Sequence, residues 1–211
     1  MVRGVSPLIV RVVDVPAGTS LASLHGVLLE CFGWSGECLH VFEIRACSYS
    51  GSGYVEAESW RGVTLGSLGL RIGERFRWRY DFCSGWVIDI RVESLTDGDE
   101  LRVVSGRRAG PPEWVGGPEA FMAWEDSHSF SEAIDIVADA LDCGLDDASI
   151  ETLRDRLLPM REWLVRDMYD RVKLQRQVLD ACRHWHELEV SQCELSSKSA
   201  STTTRTLSTV S

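Results

Sequence analysis

Lysine is almost absent: Lys173 and Lys198 are the only two in 211 residues, so the basic side chains are nearly all arginines. Between Arg108 and Arg154 there is no lysine or arginine, while Asp and Glu recur throughout, and the net charge is −10. A broad nucleic-acid groove needs a positive field against phosphate, so this balance disfavours nucleic acid as a partner except through a local arginine patch. No stretch reaches the ~18 apolar residues of a membrane span. The opening "MVRGVSPLIV" has neither a long apolar run nor a cleavage site of the secretory kind. The seven cysteines form no CxxC pair and have no regular spacing. They read as reduced, mostly buried thiols in a cytoplasmic protein. Phosphate-cradling, GxSxG and HExxH motifs are missing, and no internal repeat is visible. "LIVRVVDV" offers no serine at a strand end for recombinase chemistry.

What is present is an alternation of strand and helix patterns. "PLIVRVVDV", bounded by Pro7 and Pro16, reads as a strand. Thr19 or Ser20 can then cap a helix through a side-chain oxygen. Leu21, Leu24, Leu28 and Cys31 share one face of that helix, and Gly33 is a plausible stop. "HVFEIRAC" reads as a second strand and "SYSGSG" as a flexible loop.

The clearest signal is "RFRWRYDFCSGWVIDIRVES". Phe76, Trp78, Tyr80 and Phe82 alternate with Arg75, Arg77, Arg79 and Asp81, which is period two without a break. A three-residue turn, Cys83-Ser84-Gly85, predicts a hairpin with Gly85 at positive φ. In that register Phe82 faces Trp86, Tyr80 faces Ile88, Trp78 faces Ile90 and Phe76 faces Val92. On the other side Arg79 meets Asp89 and Arg75 meets Glu93, pairs worth about 0.2–1 kcal/mol each.

"LRVV" is expected to form one more strand, leading into Arg107–Pro118, "RRAGPPEWVGGP". Pro111 and Pro112 fix φ and hold Gly110 extended. Gly116 and Gly117 permit positive φ, and Pro118 suits a first helical turn. The loop should therefore be ordered. Trp114 is the expected anchor, with Trp114→Ala costing about 2–4 kcal/mol. A short helix, "PEAFMAWE", follows. Then comes an amphipathic one, "SFSEAIDIVADALDCG", with Ile134, Val137, Ala138 and Leu141 inward and Gly144 as stop. Another helix starts at "DDASIETLRDRLL", and Pro159 should kink or restart it. From Met160 the residues Leu164, Met168, Val172, Leu179 and Cys182 continue a stripe, predicting one long helix or a helical hairpin. The Ser/Thr-rich tail has too little apolar content to order.

Taken in order, "VPAGTSLASLHGVLLECFGW", "LHVFEI", "VTLGSL", "YDFCSGW" and "GRRAGPPEWVGGP" resemble the plasmid pRiA4b ORF-3-like family, whose members are often labelled passenger proteins of an insertion element. The resemblance runs from about Pro7 to about Trp124. It implies a compact α+β fold and brings no established activity. Cys83, Ser84 and Ile88 stand where the family's pattern has Gly, Asp and His, and Gly110 and Trp114 where it has Cys and Asp.

These readings converge on an α+β chain with a mixed or antiparallel sheet and a helix packed on it, β-α-β and then a long hairpin. Residues 1–125 would form that domain, 126–190 a helical extension and 191–211 a disordered tail. His40, Asp81, Arg108 and Glu113 match the family's polar positions. With Trp86, Gly116 and Gly117 they make the candidate binding site at the hairpin end and the Pro/Gly loop. They could serve acid–base or anion-binding chemistry, or simply orient the loop by hydrogen bonds. His25 is expected to cap the edge of the core. Cys182 and His186 share a helical face, but metal ligation needs three or four ligands. No metal or cofactor and no catalytic residue is assigned. The expected function is a non-catalytic interaction module, associated with mobile elements through its family. Its C-terminal helices would offer a surface for a protein partner or for self-association. Two alternatives stand beside it: an enzyme using the His/Asp/Arg/Glu pocket, and a nucleic-acid-binding accessory using Arg75, Arg77 and Arg79.

Overall fold

The computed structural model describes residues 1–51, 56–96, 98–144, 146–166 and 169–181. Its architecture is α+β. Strands β1 (Val10–Asp14), β2 (His40–Ile44), β3 (Cys47–Ser50), β4 (Glu58–Ser59), β5 (Arg75–Tyr80), β6 (Trp86–Arg91) and β7 (Arg102–Arg107) alternate with helices α1 (Leu21–Phe32), α2 (Leu65–Leu68), α3 (Pro118–Asp126), α4 (Phe130–Cys143) and α5 (Asp147–Arg166). A further helical stretch covers 171–181. Five strands form one sheet in the order β4-β3-β2-β5-β6, antiparallel except for β3–β4, while β1 and β7 form a separate antiparallel ribbon.

The strict alternation in β5 does what period two requires. Phe76, Trp78 and Tyr80 are buried, and Arg75, Arg77 and Arg79 are exposed. Helix α1 covers the buried face. It starts at Ser20, whose hydroxyl oxygen accepts the Ser23 N–H, and ends at Gly33 in the left-handed region. Its expected stripe of Leu21, Leu24, Leu28 and Cys31 is buried.

The hairpin register differs from the sequence expectation by two residues. Tyr80 pairs with Trp86, Trp78 with Ile88 and Phe76 with Ile90. The turn therefore has five residues, Asp81–Gly85. Asp81 itself adopts φ +50, donates its N–H to the Leu39 carbonyl, accepts the Gly85 N–H and takes the Cys83 N–H on its Oδ1. These bonds end the ladder at Tyr80, and Phe82 lies under the Arg79 guanidinium instead of facing Trp86. A two-residue slip keeps every side chain on its own face, so the expected apolar face survives. The expected ion pairs do not: Arg77 pairs with Asp89, Arg79 with Glu43, and Arg75 lies opposite Arg91.

Three other expectations are corrected. "HVFEIRAC" is two strands, because Arg45 turns the chain at φ +56 while its guanidinium holds Glu74 and the Gly69 carbonyl. "SYS", expected in a loop, belongs to β3. In α4 it is Ile136 that is buried, while Ile134, Ala138 and Leu141 are exposed. Gly144 ends α4 as expected.

Helix α5 runs through Pro159, and the next helical stretch begins beyond Asp170, whose carboxylate accepts the Val172 and Lys173 N–H groups. Met160, Trp163, Leu174 and Val178 are the buried positions, and Val172 and Leu179 are exposed. Leu164 (side chain), Met168, Cys182 and everything after it lie outside the described residues. Trp163, Leu174 and Val178 join the same buried cluster as α1 and the sheet. Gln175 continues the β7 edge: its Oε1 accepts the Val103 N–H and its Nε2 donates to the Leu101 carbonyl. The five described cysteines are free thiols, and no helix among the described residues is long and apolar enough to cross a membrane.

Candidate functional site

The Pro/Gly loop docks on two places at once. A Cβ on Gly110 would lie 2.0 Å from the Phe32 carbonyl oxygen at the end of α1, and one on Gly117 would lie 2.1 Å from the Ser84 carbonyl oxygen in the hairpin turn. Only glycine allows backbone to approach backbone this closely. Trp34 fixes the loop between these points by donating its indole N–H to the Pro111 carbonyl at 2.9 Å. Pro111 and Pro112 are buried. Gly116 at φ +89 and Gly117 at φ +107 then turn the chain into α3, with Pro118 in its first turn.

Trp114 is not the anchor expected from the sequence. It is 71% exposed and touches Trp124 edge-on at 5.7 Å. The adjacent Glu113 holds the loop instead. It accepts the Ser35 N–H at 2.6 Å, the Ser35 hydroxyl at 3.0 Å and the Tyr80 phenol at 2.5 Å, with the Cys38 thiol at 3.8 Å. The Tyr80 oxygen accepts the Gly36 N–H. Burial, and then the bond to Glu113, push the Tyr80 phenol well above its ordinary pKa, so it stays protonated.

Arg108 and Glu125 form a second closed unit. Arg108 sits at φ +63, donates to the Pro7 carbonyl at 2.9 Å and pairs with Glu125 of α3. Their side chains are only 11% and 17% exposed. The pair ties the end of β7 to the N-terminal segment and to α3.

His40 belongs to a third environment. Its ring stacks on His25 at 3.8 Å and on Trp60 at 4.9 Å, and its Nδ1–H donates to the Cys38 carbonyl. That bond leaves Nε2 as the unprotonated nitrogen, buried with no hydrogen-bond partner among the described residues. Burial lowers the pKa of His40. Burial and then the neighbouring His40 lower that of His25 well below the ordinary imidazole value. Both rings are neutral. His25 is deep inside rather than at the core edge, with Trp78 and Tyr80 also against it. Its spacing from Leu21 and Leu28 put it on the buried face of α1, which was the available signal.

The residues singled out from the sequence thus meet only in part. Asp81, Trp86, Glu113, Gly116 and Gly117 gather where the hairpin turn, the Tyr80–Trp86 pair and the loop join. His40 turns into the aromatic stack, and Arg108 is engaged with Glu125. Asp81 caps its own turn, and Trp86 is fully buried against Trp34 and Phe121. The arrangement builds a rigid corner rather than one convergent pocket. Among the described residues no cluster of three His, Cys, Asp or Glu could hold a metal, and the Cys182–His186 pair lies outside them. A shallow cavity of about 570 Å³ lies elsewhere, between β7 and the helical residues 171–181, lined by Glu100, Leu101, Arg102, Arg171, Gln175 and Leu179.

The sequence model described as plasmid pRiA4b ORF-3-like protein matches residues 1–177, which takes the likeness through α5 and into the last helical stretch. The chain is 34% identical over 130 residues to the uncharacterized protein y4hQ of Sinorhizobium fredii (strain NBRC 101917 / NGR234), a match over 56% of this chain and 64% of that protein. It therefore spans less than two thirds of that relative's length. A crystal structure of a protein of unknown function, MM3350 from Methanosarcina mazei Go1, superposes with a TM-score of 0.54 at 24% identity, over 69% of this chain and 86% of that one. At that identity the likeness speaks for the fold alone.

Proposed function

We propose that this chain, which belongs to the plasmid pRiA4b ORF-3-like family, is a non-catalytic binding module whose partner docks on the C-terminal helices. The observation that carries the reading is a contrast in how side chains are used. Glu113, Arg108 and Asp81, the groups best suited to chemistry, are each engaged by hydrogen bonds or an ion pair within the fold. Large apolar side chains on α4 face solvent instead. A base or acid must be within hydrogen-bond reach of a substrate proton, and a carboxylate already holding Ser35 and Tyr80 is poorly placed for that. Exposed apolar side chains on a helix are the usual material of a docking surface.

Random-peptide display on the immobilised full chain tests the reading. A peptide consensus that binds saturably to the chain in solution supports it. Failure to enrich any consensus, together with turnover of a small molecule that Glu113→Gln abolishes, would favour the enzyme reading.

A further inference from the structure

The arginines on the exposed face of β5 and β6 are not used alike. Arg77 pairs with Asp89 at 3.3 Å and Arg79 with Glu43 at 3.2 Å. Arg75 and Arg91 are exposed and directly opposed across the ladder. Among the described residues no carboxylate lies within ion-pair distance of either.

Opposed side chains of an antiparallel pair have Cβ atoms about 4.5–5.5 Å apart, and like charges placed there are destabilising. The two-residue slip of the hairpin created this contact, by putting Arg91 where Glu93 was expected opposite Arg75. The acidic residues near that end of the ladder do not relieve it. Asp89 is held by Arg77, and Glu74 by Arg45 at 2.7 Å and by the Arg71 N–H. Glu93 is exposed and within ion-pair distance of neither arginine.

A bound anion would offset the repulsion, and its charge and shape can be narrowed. A carboxylate has one charge and two oxygens, which a single guanidinium fork satisfies. Two opposed guanidinium groups match about two negative charges and more than two acceptor oxygens. A phosphomonoester provides both, with a charge of about −1.5 to −2 near pH 7 and three acceptor oxygens. A phosphodiester, the linkage of a nucleic-acid backbone, has only one charge.

We propose that Arg75 and Arg91 form a site for a phosphomonoester on the open face of the sheet, both guanidinium groups donating to its oxygens. The group arrives on a phosphorylated side chain of a protein partner or on a free small molecule. The site lies on β5 and β6, so it stands or falls separately from docking on the C-terminal helices.

Nuclear magnetic resonance titration of the full chain tests the proposal with three probes: an otherwise uncharged peptide bearing one phosphoserine, its unphosphorylated form, and inorganic phosphate. Saturable binding of the phosphopeptide is expected on the order of 0.1 mM, with none of the unphosphorylated form. Binding at least about tenfold tighter than inorganic phosphate assigns a protein-borne group, and equal binding assigns a free one. Arg75→Gln and Arg91→Gln should each weaken binding at least about fivefold. Glu93→Gln should tighten it, because it removes a nearby negative charge. Arg102→Gln, on the separate ribbon, takes away the same charge and should change little. Neither Arg75→Gln nor Arg91→Gln should melt below the parent chain, since each relieves a like-charge contact.

No binding of either phosphate probe at about 10 mM overturns the proposal. Losses no greater in Arg75→Gln and Arg91→Gln than in Arg102→Gln do the same. So does a thymidine oligonucleotide without terminal phosphate that binds as tightly as the phosphopeptide and is released by the same two variants. The face would then hold a polyanion of single charges and not a phosphomonoester.

Discussion

Helices α1 and α4 are of similar length and both carry an apolar stripe, yet α1 buries every residue except Glu30 and α4 buries Ile136 alone. Helix α1 has neighbours on all sides. The sheet's aromatic face meets His25, Arg11 of the ribbon donates to the Cys31 carbonyl and lies over Phe32, and the Pro/Gly loop presses Gly110 against Phe32. A helix so enclosed is specified by its packing. Helix α4 packs on α5 and leaves most of its surface to water. The difference teaches that polar chemistry in this molecule faces inward, fastening the loop and turn, while its unsatisfied apolar surface faces outward. Substitutions in the enclosed region should therefore change stability, and those on α4 should change binding.

The largest expected loss in the enclosed region is from Arg108→Ala. It leaves Glu125 as a nearly buried carboxylate without its cation, a situation worth about 3–5 kcal/mol. Urea unfolding of the variant measures it. A loss under about 1 kcal/mol would mean that the pair behaves as a surface bridge and that the corner is not held by it. Next is Gly117→Ala, which forces a Cβ toward the Ser84 carbonyl at a φ of +107. Overpacking and strain together should cost about 2–4 kcal/mol. Gly144→Ala makes the fitting control, since Gly144 has positive φ but open space around its Cβ position. It should cost about 1–3 kcal/mol, the strain of its φ +84, ψ 141 backbone without the clash.

Acid should act on the enclosed region as well. His25 and His40 are both neutral in the fold, with pKa values lowered by burial, whereas in the unfolded chain they titrate near 6.5. Below that pH the unfolded state binds protons that the folded state refuses. Stability is therefore full above about pH 6.5 and falls as pH drops from there toward the folded values, before most carboxylates titrate at about pH 4. Urea midpoints taken across this window should decline, and His25→Gln should flatten the decline. A wild-type midpoint constant down to about pH 5 would show that the stacked rings accept a proton without cost.

Much of the enclosed region was legible because its signals are local. The alternation of Phe76, Trp78 and Tyr80 with arginines, the Ser20 cap and the Gly33 stop each need only neighbouring residues. The hairpin register was not legible, since a two-residue slip leaves both faces unchanged and the deciding bond runs from Asp81 to Leu39. In α4 the stripe itself could be read, but not its direction: spacing shows which residues share a face, and only the surrounding fold shows whether that face is covered. The candidate site failed as one pocket for a related reason. Arg108 and Glu113 lie in the loop and His40 on β2, far from the loop and hairpin in sequence, and their partners, Glu125, Ser35 and His25, are set by the fold.

The smallest expected effect lies at the border between the two regions. The loop's indole anchor is Trp34, donating to Pro111 across 77 positions of sequence, and not Trp114. Trp114 sits within the loop but keeps most of its surface in water, with one edge contact to Trp124. Substitutions at such exposed positions usually fall within about 0.5 kcal/mol, so Trp114→Ala should leave the urea midpoint nearly unchanged. Trp34→Phe removes the donor to Pro111 while keeping an aromatic ring, and should cost about 1–3 kcal/mol for the buried carbonyl left without it. Iodide should quench the fluorescence lost in Trp114→Ala nearly as well as free tryptophan. A loss above about 2 kcal/mol in Trp114→Ala, with iodide excluded, would restore Trp114 as the anchor and move the border of the enclosed region outward to include it.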